Sequence, residues 1–150
     1  MIREGDFRDF KEMLKLERQG FPREHVYSPY YLNYLLKKPN SIVLKVLAEQ
    51  KMVGFIISLL SQATREAHII NLTVHPSFRR RGYGKLLLQS TEERAKKKEM
   101  IACYLEVRVN NESAINLYKK TGYKIEGVVK DYYTYPLLES RDAYKMRKRL

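Results

Sequence analysis

The chain has 150 residues, of which 44% are apolar, enough to bury the core of a single domain over residues 1–150. Its 29 lysines and arginines exceed its 17 aspartates and glutamates, and the net charge of +12 favours an anionic partner such as a phosphate-bearing ligand, an acidic peptide or RNA. No segment approaches the ~20 apolar residues of a membrane span and the N-terminus has no signal-peptide pattern, so no membrane contact is expected. The single cysteine, Cys103, excludes an internal disulfide and fits a reducing cytoplasm.

The first forty residues predict a short strand and two helices. The strand is expected at residues 2–3. Asp6 can cap a helix, and apolar residues at helical spacing extend that helix to about Arg18. Ser28-Pro29 combines a cap with a first-turn proline and begins a second helix, which Pro39-Asn40 ends.

From Ile42 onwards the apolar residues alternate, which is typical of strands. Two strands joined by a tight turn at Gln50-Lys51 form an expected hairpin, and Gly54 within the second strand indicates a bulge or close packing. Strands and helices alternate only in the middle of the chain, so the fold class is α/β (α+β) with a mixed sheet. The expected strands are 42–49, 52–60, 67–74, 101–109, 123–132 and 142–150, and the expected later helices are 84–98 and 113–120.

The segment from Asn71 to Leu88 reads NLTVHPSFRRRGYGKLLL and joins a predicted strand to a predicted helix. Gly82 and Gly84 at this turn allow backbone N–H groups to approach a ligand, and the start of a helix favours a phosphate or pyrophosphate. Three arginines at 79–81 add positive charge. The spacing matches neither the Rossmann fingerprint nor a Walker A loop.

A second motif, LEVRVNNESAINLYKKTGY, covers residues 105–123. Together with R-x-x-G-x-G at 79–84, it resembles the GNAT superfamily of acetyltransferases. The resemblance is specifically to the N-terminal acetyltransferase branch, which includes ribosomal-protein alanine acetyltransferases and nascent-chain enzymes. The matching positions in the second motif are Leu105, Glu106, Val107, Arg108, Asn111, Ala114, Leu117, Tyr118, Gly122 and Tyr123.

This resemblance implies a GNAT fold with about four helices and a central, mostly antiparallel mixed sheet. The sheet is expected to splay between two parallel central strands, where acetyl-CoA would lie. The implied reaction is transfer of the acetyl group to the N-terminal α-amino group of a protein or peptide, by direct attack in a ternary complex.

The resemblance also assigns a cofactor site. Backbone groups of Leu72 and Val74 are expected to hold the acetyl carbonyl and pantetheine arm, and the glycine loop the pyrophosphate. Asn111 is expected at the pantetheine or diphosphate arm. The complete expected set is Leu72, Thr73, Val74, Arg79, Arg80, Arg81, Gly82, Tyr83, Gly84, Lys85, Asn111, Ser113, Asn116 and Tyr118.

Three residues are candidates for proton transfer. An α-amino group has a pKa near ~8, so it needs only a modest base. By the resemblance this base is Glu106, acting directly or through a water; the alternative is that Glu106 pairs with Arg108 or a lysine. Tyr118 is the expected acid for the CoA thiolate, or else packs under the sheet. His68 either holds the attacking water or is a strand-end histidine without a role.

Two aromatic segments are expected to form the acceptor site. Tyrosines hydrogen-bond main-chain groups without reading side chains, which suits a peptide N-terminus. Packing between loops is the alternative for Tyr30 and Tyr31. One wall is expected to consist of Phe21, Pro22, Tyr27, Tyr30 and Tyr31, and the other of Tyr132 and Tyr133.

Two other functions stay open. One is acetylation of a small amine or a lysine side chain, although a polycation site should gather carboxylates and these loops offer only Glu24 and Asp131. The other is a non-catalytic RNA- or ribosome-binding module. No metal site is expected because His25, His68 and His75 lack partners at ligand spacing, and no motif indicates dedicated DNA binding. A ribosome contact is compatible with a nascent-chain substrate, and both a monomer and a homodimer are open.

Overall fold

A computed structural model of the chain describes residues 1–21, 27–136 and 140–150. The sequence predictions made for Pro22, Glu24 and His25 lie outside these residues. The strands are β1 Ile2–Glu4, β2 Ser41–Ala48, β3 Lys51–Ser61, β4 Glu66–Val74, β5 Ala102–Arg108, β6 Lys124–Val129 and β7 Ala143–Arg149. The α-helices in the described ranges are α1 Phe10–Gly20, α2 Pro29–Lys37, α3 Tyr83–Lys97 and α4 Glu112–Lys120.

The strands form one seven-stranded sheet in the order β1-β2-β3-β4-β5-β7-β6. Strands β4 and β5 pair in parallel, and every other neighbouring pair is antiparallel. The predicted mixed sheet with a parallel central pair is therefore confirmed, as is the number of about four helices.

Local capping explains where the first two helices begin. The Asp6 carboxylate accepts the N–H of Arg8, and the Asp9 carboxylate accepts the N–H of Asp6, which forms a capping box. A 3-10 turn over Phe7–Asp9 precedes α1, so the predicted helix starts with a tighter turn. The hydroxyl of Ser28 accepts the N–H of Tyr31, which confirms the predicted start of α2.

Helices cover both faces of the sheet, so its central strands are buried on both sides. Met13 and Leu32 of α1 and α2 pack with Phe55 on one face. On the other face, Leu87 of α3 and Ile115 of α4 belong to a core that includes Ile56. Because side chains alternate along β3, residues 55 and 56 enter opposite cores.

The turn between β2 and β3 is Glu49-Gln50, whose φ angles of 52° and 67° suit a tight hairpin turn, so the predicted turn at Gln50-Lys51 was one residue late. The strand predicted over 123–132 is confined to Lys124–Val129. Before it, Tyr123 is buried and its hydroxyl donates to Glu92, and after it the chain turns at Lys130-Asp131, where Asp131 has a φ of 54°.

Gly54 confirms both properties predicted for it. The ladder between β2 and β3 shifts register beside it, between Val46 and Leu47. A Cβ added at Gly54 would lie 2.8 Å from the carbonyl oxygen of Thr73, which only a hydrogen in place of the side chain avoids.

The parallel strands separate soon after they meet. Paired residues run from Glu66–Ala102 to His68–Tyr104, and the register contains no pair beyond these. Strand β4 then continues along β3 to Val74, while β5 continues along β7 to Arg108. The result is a cleft within the sheet between the second halves of β4 and β5.

A β-bulge lies in β4 at the beginning of this cleft. Ile57 pairs with Asn71, but the next residue, Ser58, pairs with Ile69, so Ile70 is the extra residue. The bulge changes which side chains of β4 face each helical layer.

Candidate active site

The edge of β4 presents backbone groups to the cleft. The N–H of His75 donates to the carbonyl of Val53 at 2.7 Å, so these two residues form a hydrogen-bonded pair of the antiparallel ladder. Such pairs alternate with non-hydrogen-bonded pairs. Leu72 and Val74 therefore point their N–H and C=O groups away from β3, towards the side that β5 has left. Thr73 differs from the sequence expectation, because its backbone belongs to the β3 ladder and its buried hydroxyl donates to Glu17.

The glycine loop leads from β4 into α3, and no side chain caps the first turn of that helix. Gly82 is the N-cap of α3 with φ of 86°, and no side chain accepts the N–H groups of the first turn, which contains Tyr83, Gly84 and Lys85. A Cβ added at Gly82 would meet nothing within 4 Å, so the requirement for glycine is one of backbone conformation. Unpaired N–H groups at the start of a helix attract anions.

The three arginines of the loop are placed differently. Arg80 and Arg81 are exposed beside the start of α3, and Arg81 lies over the ring of Phe78. Arg79 instead donates to the carbonyls of Val74 at 3.2 Å and Gly20 at 3.1 Å. Its hydrogen bonds therefore fasten the loop to the end of α1.

Helix α4 carries the remaining expected cofactor residues. Asn111 is its N-cap, and the side-chain oxygen accepts the N–H of Ala114 at 3.2 Å, so its amide NH₂ is the group left for a ligand. Ser113 and Asn116 are exposed. Tyr118 is buried against Tyr123 with edge-to-face rings. Burial raises the pKa of Tyr118, so its hydroxyl keeps its proton at neutral pH.

A carboxylate, an imidazole and a phenol meet where the parallel strands separate. Oε1 of Glu106 lies 2.5 Å from Nε2 of His68 and accepts the hydroxyl of Tyr132 at 3.2 Å. The ring of His68 stacks on that of Tyr104. Desolvation acts to raise the pKa of Glu106, but the hydrogen bonds and charges of its neighbours, first of all His68, outweigh it and lower this pKa.

The alternative pairing of Glu106 with Arg108 is not found. Arg108 donates to the carbonyl of Tyr135 at 2.7 Å and lies 3.9 Å from the centre of the Tyr133 ring. Arg108 therefore supports the loop after β6, whose Tyr132 reaches Glu106.

Each expected acceptor wall contains a pair of packed tyrosines, and Tyr132 connects one wall to the Glu106 carboxylate. Tyr27 packs edge-to-face on Tyr31, and Tyr132 packs edge-to-face on Tyr133. Burial is the main cause of the raised pKa of Tyr27, and Tyr132 of the other wall acts in the same direction. Phe21 ends α1 and is half-buried. Tyr30 is 88% exposed, so it is neither packed between loops nor part of this cluster.

Sequence reasoning missed Glu17, which is 1% exposed in α1. Its carboxylate accepts hydrogen bonds from Asn71 and Thr73 of β4. A signal for it exists, because Glu17 follows Met13 by four residues and so continues the buried stripe of the helix.

Within residues 1–21, 27–136 and 140–150, no group of three or more His, Cys, Asp or Glu could hold a metal ion. None of the helices in these ranges has the length and apolar character needed to cross a membrane.

Comparison with known proteins gives consistent matches over most of the chain. Residues 7–123 match the model of the family described as Acetyltransferase (GNAT) family. An N-alpha-acetyltransferase of Sulfurisphaera tokodaii is 30% identical over 97% of this chain and 90% of its own length. A [ribosomal protein bS18]-alanine N-acetyltransferase of Salmonella typhimurium is 33% identical over 60% of each chain. The crystal structure of Ard1 from Thermoplasma volcanium has a TM-score of 0.84 and 28% identity, covering 100% of this chain and 97% of its own.

Proposed function

This chain belongs to the acetyltransferase (GNAT) family, and on that premise we propose that it transfers the acetyl group of acetyl-CoA to the N-terminal α-amino group of a protein or peptide. The observation that carries the proposal is the Glu106 carboxylate, held by His68 and Tyr132 at the mouth of the cleft and beside two aromatic walls. The name of the Sulfurisphaera tokodaii relative, an N-alpha-acetyltransferase, supports an α-amine as acceptor.

The residues along the cleft fit acetyl-CoA, which supplies an acetyl group activated as a thioester. The backbone groups of Leu72 and Val74 that face the cleft would hydrogen-bond its pantetheine arm, as a neighbouring strand would. The uncapped first turn of α3 and the exposed Arg80 and Arg81 would hold the phosphates.

Glu106 would receive the proton of the attacking amine, directly or through a water. Its lowered pKa keeps it ionised at neutral pH, so the carboxylate can bind the amine and accept a proton without first losing one. Because an α-amine has a pKa of about 8, a substantial neutral fraction exists near pH 7 and a strong base is not needed. His68 would keep Oε1 of Glu106 in position.

Tyr118 would donate a proton to the departing thiolate. It belongs to the core under α3 and α4, together with Leu105 and Val107, whereas Glu106 points to the opposite face of β5. Base and acid therefore approach the cleft from opposite faces of the sheet. This separation lets the amine lose its proton on one side while the thiolate gains one on the other.

The acceptor walls favour a peptide over a polyamine. Burial raises the pKa values of Tyr27 and Tyr132, so both hydroxyls stay uncharged. They donate to the Ile70 carbonyl and to Glu106, and each oxygen can still accept a hydrogen bond from a peptide N–H. Asp131 is paired with Arg141 at 3.0 Å, which offsets part of the negative charge that it offers to a polycation. Lys145 lies opposite Glu106 on β7 and would repel further positive charge.

The net charge of +12 supports a contact with the ribosome surface, where new N-termini emerge, and with it a cytoplasmic location. Binding of purified ribosomes at several salt concentrations tests this part of the proposal. Loss of binding with rising salt is expected, and an absence of binding at low salt contradicts the contact.

A panel of peptides that vary in their first two residues, assayed with radiolabelled acetyl-CoA, tests the reaction. We expect label on peptides with a free N-terminus, and none on the same peptides after N-terminal blocking. Spermidine and a blocked peptide with a free lysine are assayed in parallel. Faster labelling of either compound than of every peptide would assign a different acceptor. A melting temperature raised by RNA but not by acetyl-CoA would instead indicate a binding module.

A further inference from the structure

We infer that Glu17 is a positioning residue that joins the acceptor wall at Tyr27 to the cofactor edge of β4, through Asn71 and Thr73. The inference rests on the proposed function for the identity of the acceptor. Its effect on β4, however, concerns cofactor binding and is measured separately from turnover.

The first step is the convergence of three donors on one buried carboxylate. The side-chain amide of Asn71 and the hydroxyl of Thr73, at 2.7 Å, both donate to Oε1 of Glu17. The backbone N–H of Tyr27 also donates to this carboxylate. Glu17 is 1% exposed, so these protein groups replace the water it would otherwise bind.

The second step is the position of its partners on β4. Asn71 and Thr73 flank Leu72, and both face α1, while the backbone of Leu72 faces the cleft. Holding the side chains on either side fixes the rotation of the strand about its axis. That rotation determines where the N–H and C=O of Leu72 point.

The third step is the bulge that precedes Leu72. Ile70 is the extra residue of β4, and its carbonyl accepts the hydroxyl of Tyr27 at 2.8 Å. Tyr27 therefore binds Glu17 through its backbone and the bulge through its side chain. A residue of the acceptor wall is thereby connected to β4 directly, through its hydroxyl, and indirectly, through Glu17 and the partners of Glu17 on that strand.

The chemistry of the carboxylate explains why glutamate suits this place. An ionised carboxylate only accepts hydrogen bonds, and three donors point at it; an amide would turn an N–H₂ group towards some of them. Burial raises the pKa of Glu17 against the lowering effect of these donors, so desolvation makes the ionised carboxylate costly at this place. A site needed only for packing could be apolar at lower cost.

Glu17→Gln tests the inference, with Glu92→Gln as the matched control. Glu92 is another buried carboxylate; it accepts the hydroxyl of Tyr123 at 2.9 Å and the ammonium of Lys148 at 2.8 Å, beneath α3. The measurements are the KM for the peptide, kcat, the melting temperature, and the Kd of CoA by calorimetric titration. We expect Glu17→Gln to raise the peptide KM about tenfold and to weaken CoA binding, as expected for one lost hydrogen bond to a charged group. Glu92→Gln should lower the melting temperature but leave KM and Kd within about twofold.

Tyr27→Phe is the second variant, and it removes only the hydroxyl that binds the Ile70 carbonyl. It should raise the peptide KM and the Kd of CoA, as Glu17→Gln does. In the double variant, the fold-change in each constant should be smaller than the product of the fold-changes in the two single variants. If Glu17→Gln fails to fold, the Kd of CoA in Tyr27→Phe decides, because Tyr27 belongs to the acceptor wall and its loss changes the peptide KM for that reason as well.

A melting temperature lowered as in Glu92→Gln, with unchanged KM and Kd in both test variants, would reduce Glu17 to a structural residue and overturn the inference. Failure of the wild type to acetylate any peptide would contradict the proposed function instead. Weaker CoA binding by Glu17→Gln would then still support the role at β4, and unchanged CoA binding would overturn it.

Discussion

His68 and Glu106 meet where two parallel strands stop pairing. His68 is the last residue of β4 paired with β5, opposite Tyr104, and Glu106 lies two residues beyond that pair on the same face of β5. The 2.5 Å separation between their side chains therefore spans the beginning of the cleft. It brings a carboxylate to the place where an amine could reach an acyl group held by the cleft.

Glu106→Gln is expected to reduce kcat about 100-fold or more, because the amide cannot accept the amine proton. The Kd of acetyl-CoA should change by less than about twofold, since the carboxylate lies on the acceptor face. Steady-state kinetics and calorimetric titration measure both quantities. Glu126→Gln is the control: it removes a carboxylate paired with Arg147 on exposed β6 and should leave kcat unchanged. A kcat close to that of the wild type in Glu106→Gln would eliminate the assigned base.

Tyr118→Phe should affect turnover and Tyr123→Phe should affect stability, although the two rings pack edge-to-face. Removing the Tyr118 hydroxyl should lower kcat about 10- to 100-fold and leave stability nearly unchanged. Removing the Tyr123 hydroxyl takes a hydrogen bond from buried Glu92 and should cost about 1–3 kcal/mol of unfolding free energy without affecting kcat. Kinetics and urea unfolding distinguish the two variants. Equal kcat values for Tyr118→Phe and the wild type would mean that another donor protonates the thiolate.

Glu106 and Glu17 should contribute to the free energy of unfolding with opposite dependence on pH. The pKa of Glu106 is lowered in the folded chain, so its contribution is present above the unfolded value and disappears as pH falls through the folded value. The pKa of Glu17 is raised mainly by desolvation, so its contribution is present below the unfolded value and is lost as pH rises.

Urea unfolding at pH values of about 3, 5 and 7 tests this difference. Relative to the wild type, Glu106→Gln should lose most stability at the highest pH and least at the lowest. Glu17→Gln should become relatively more stable as pH rises through the range in which carboxylates ionise. Parallel curves for the two variants would contradict the opposite signs.

Thr91→Val should stabilise the fold by about 1 kcal/mol, which corresponds to about 2–4 °C in Tm. Thr91 lies fully buried in α3, and in the described part of the chain its hydroxyl has no hydrogen-bond partner. Valine has the same shape and no polar atom to desolvate. Thr91→Ser keeps the hydroxyl but loses a methyl group, and should lower Tm. A lower Tm for Thr91→Val would show that the hydroxyl forms a hydrogen bond.

Local sequence signals predicted the helices, strands and glycine loop well. Caps at Asp6 and Ser28, alternation in β3, and the turn before α3 act over a few neighbouring residues, so their patterns are visible in the chain itself. The spacing from Asn111 to Tyr118 likewise belongs to a single helix with its cap. The family resemblance, confirmed by the match over residues 7–123, rests on these same segments.

Tertiary structure alone decided which distant groups meet. His68 and Glu106 are 38 residues apart, and their contact depends on the register of two parallel strands that no local pattern encodes. Glu17 binds Asn71, which lies more than 50 residues later in the chain. The side chain of Asn71 faces α1 only because of the bulge at Ile70. Periodicity specifies which face of an element is apolar, because it arises from the geometry of one helix or strand; pairing between elements depends on how the whole core packs.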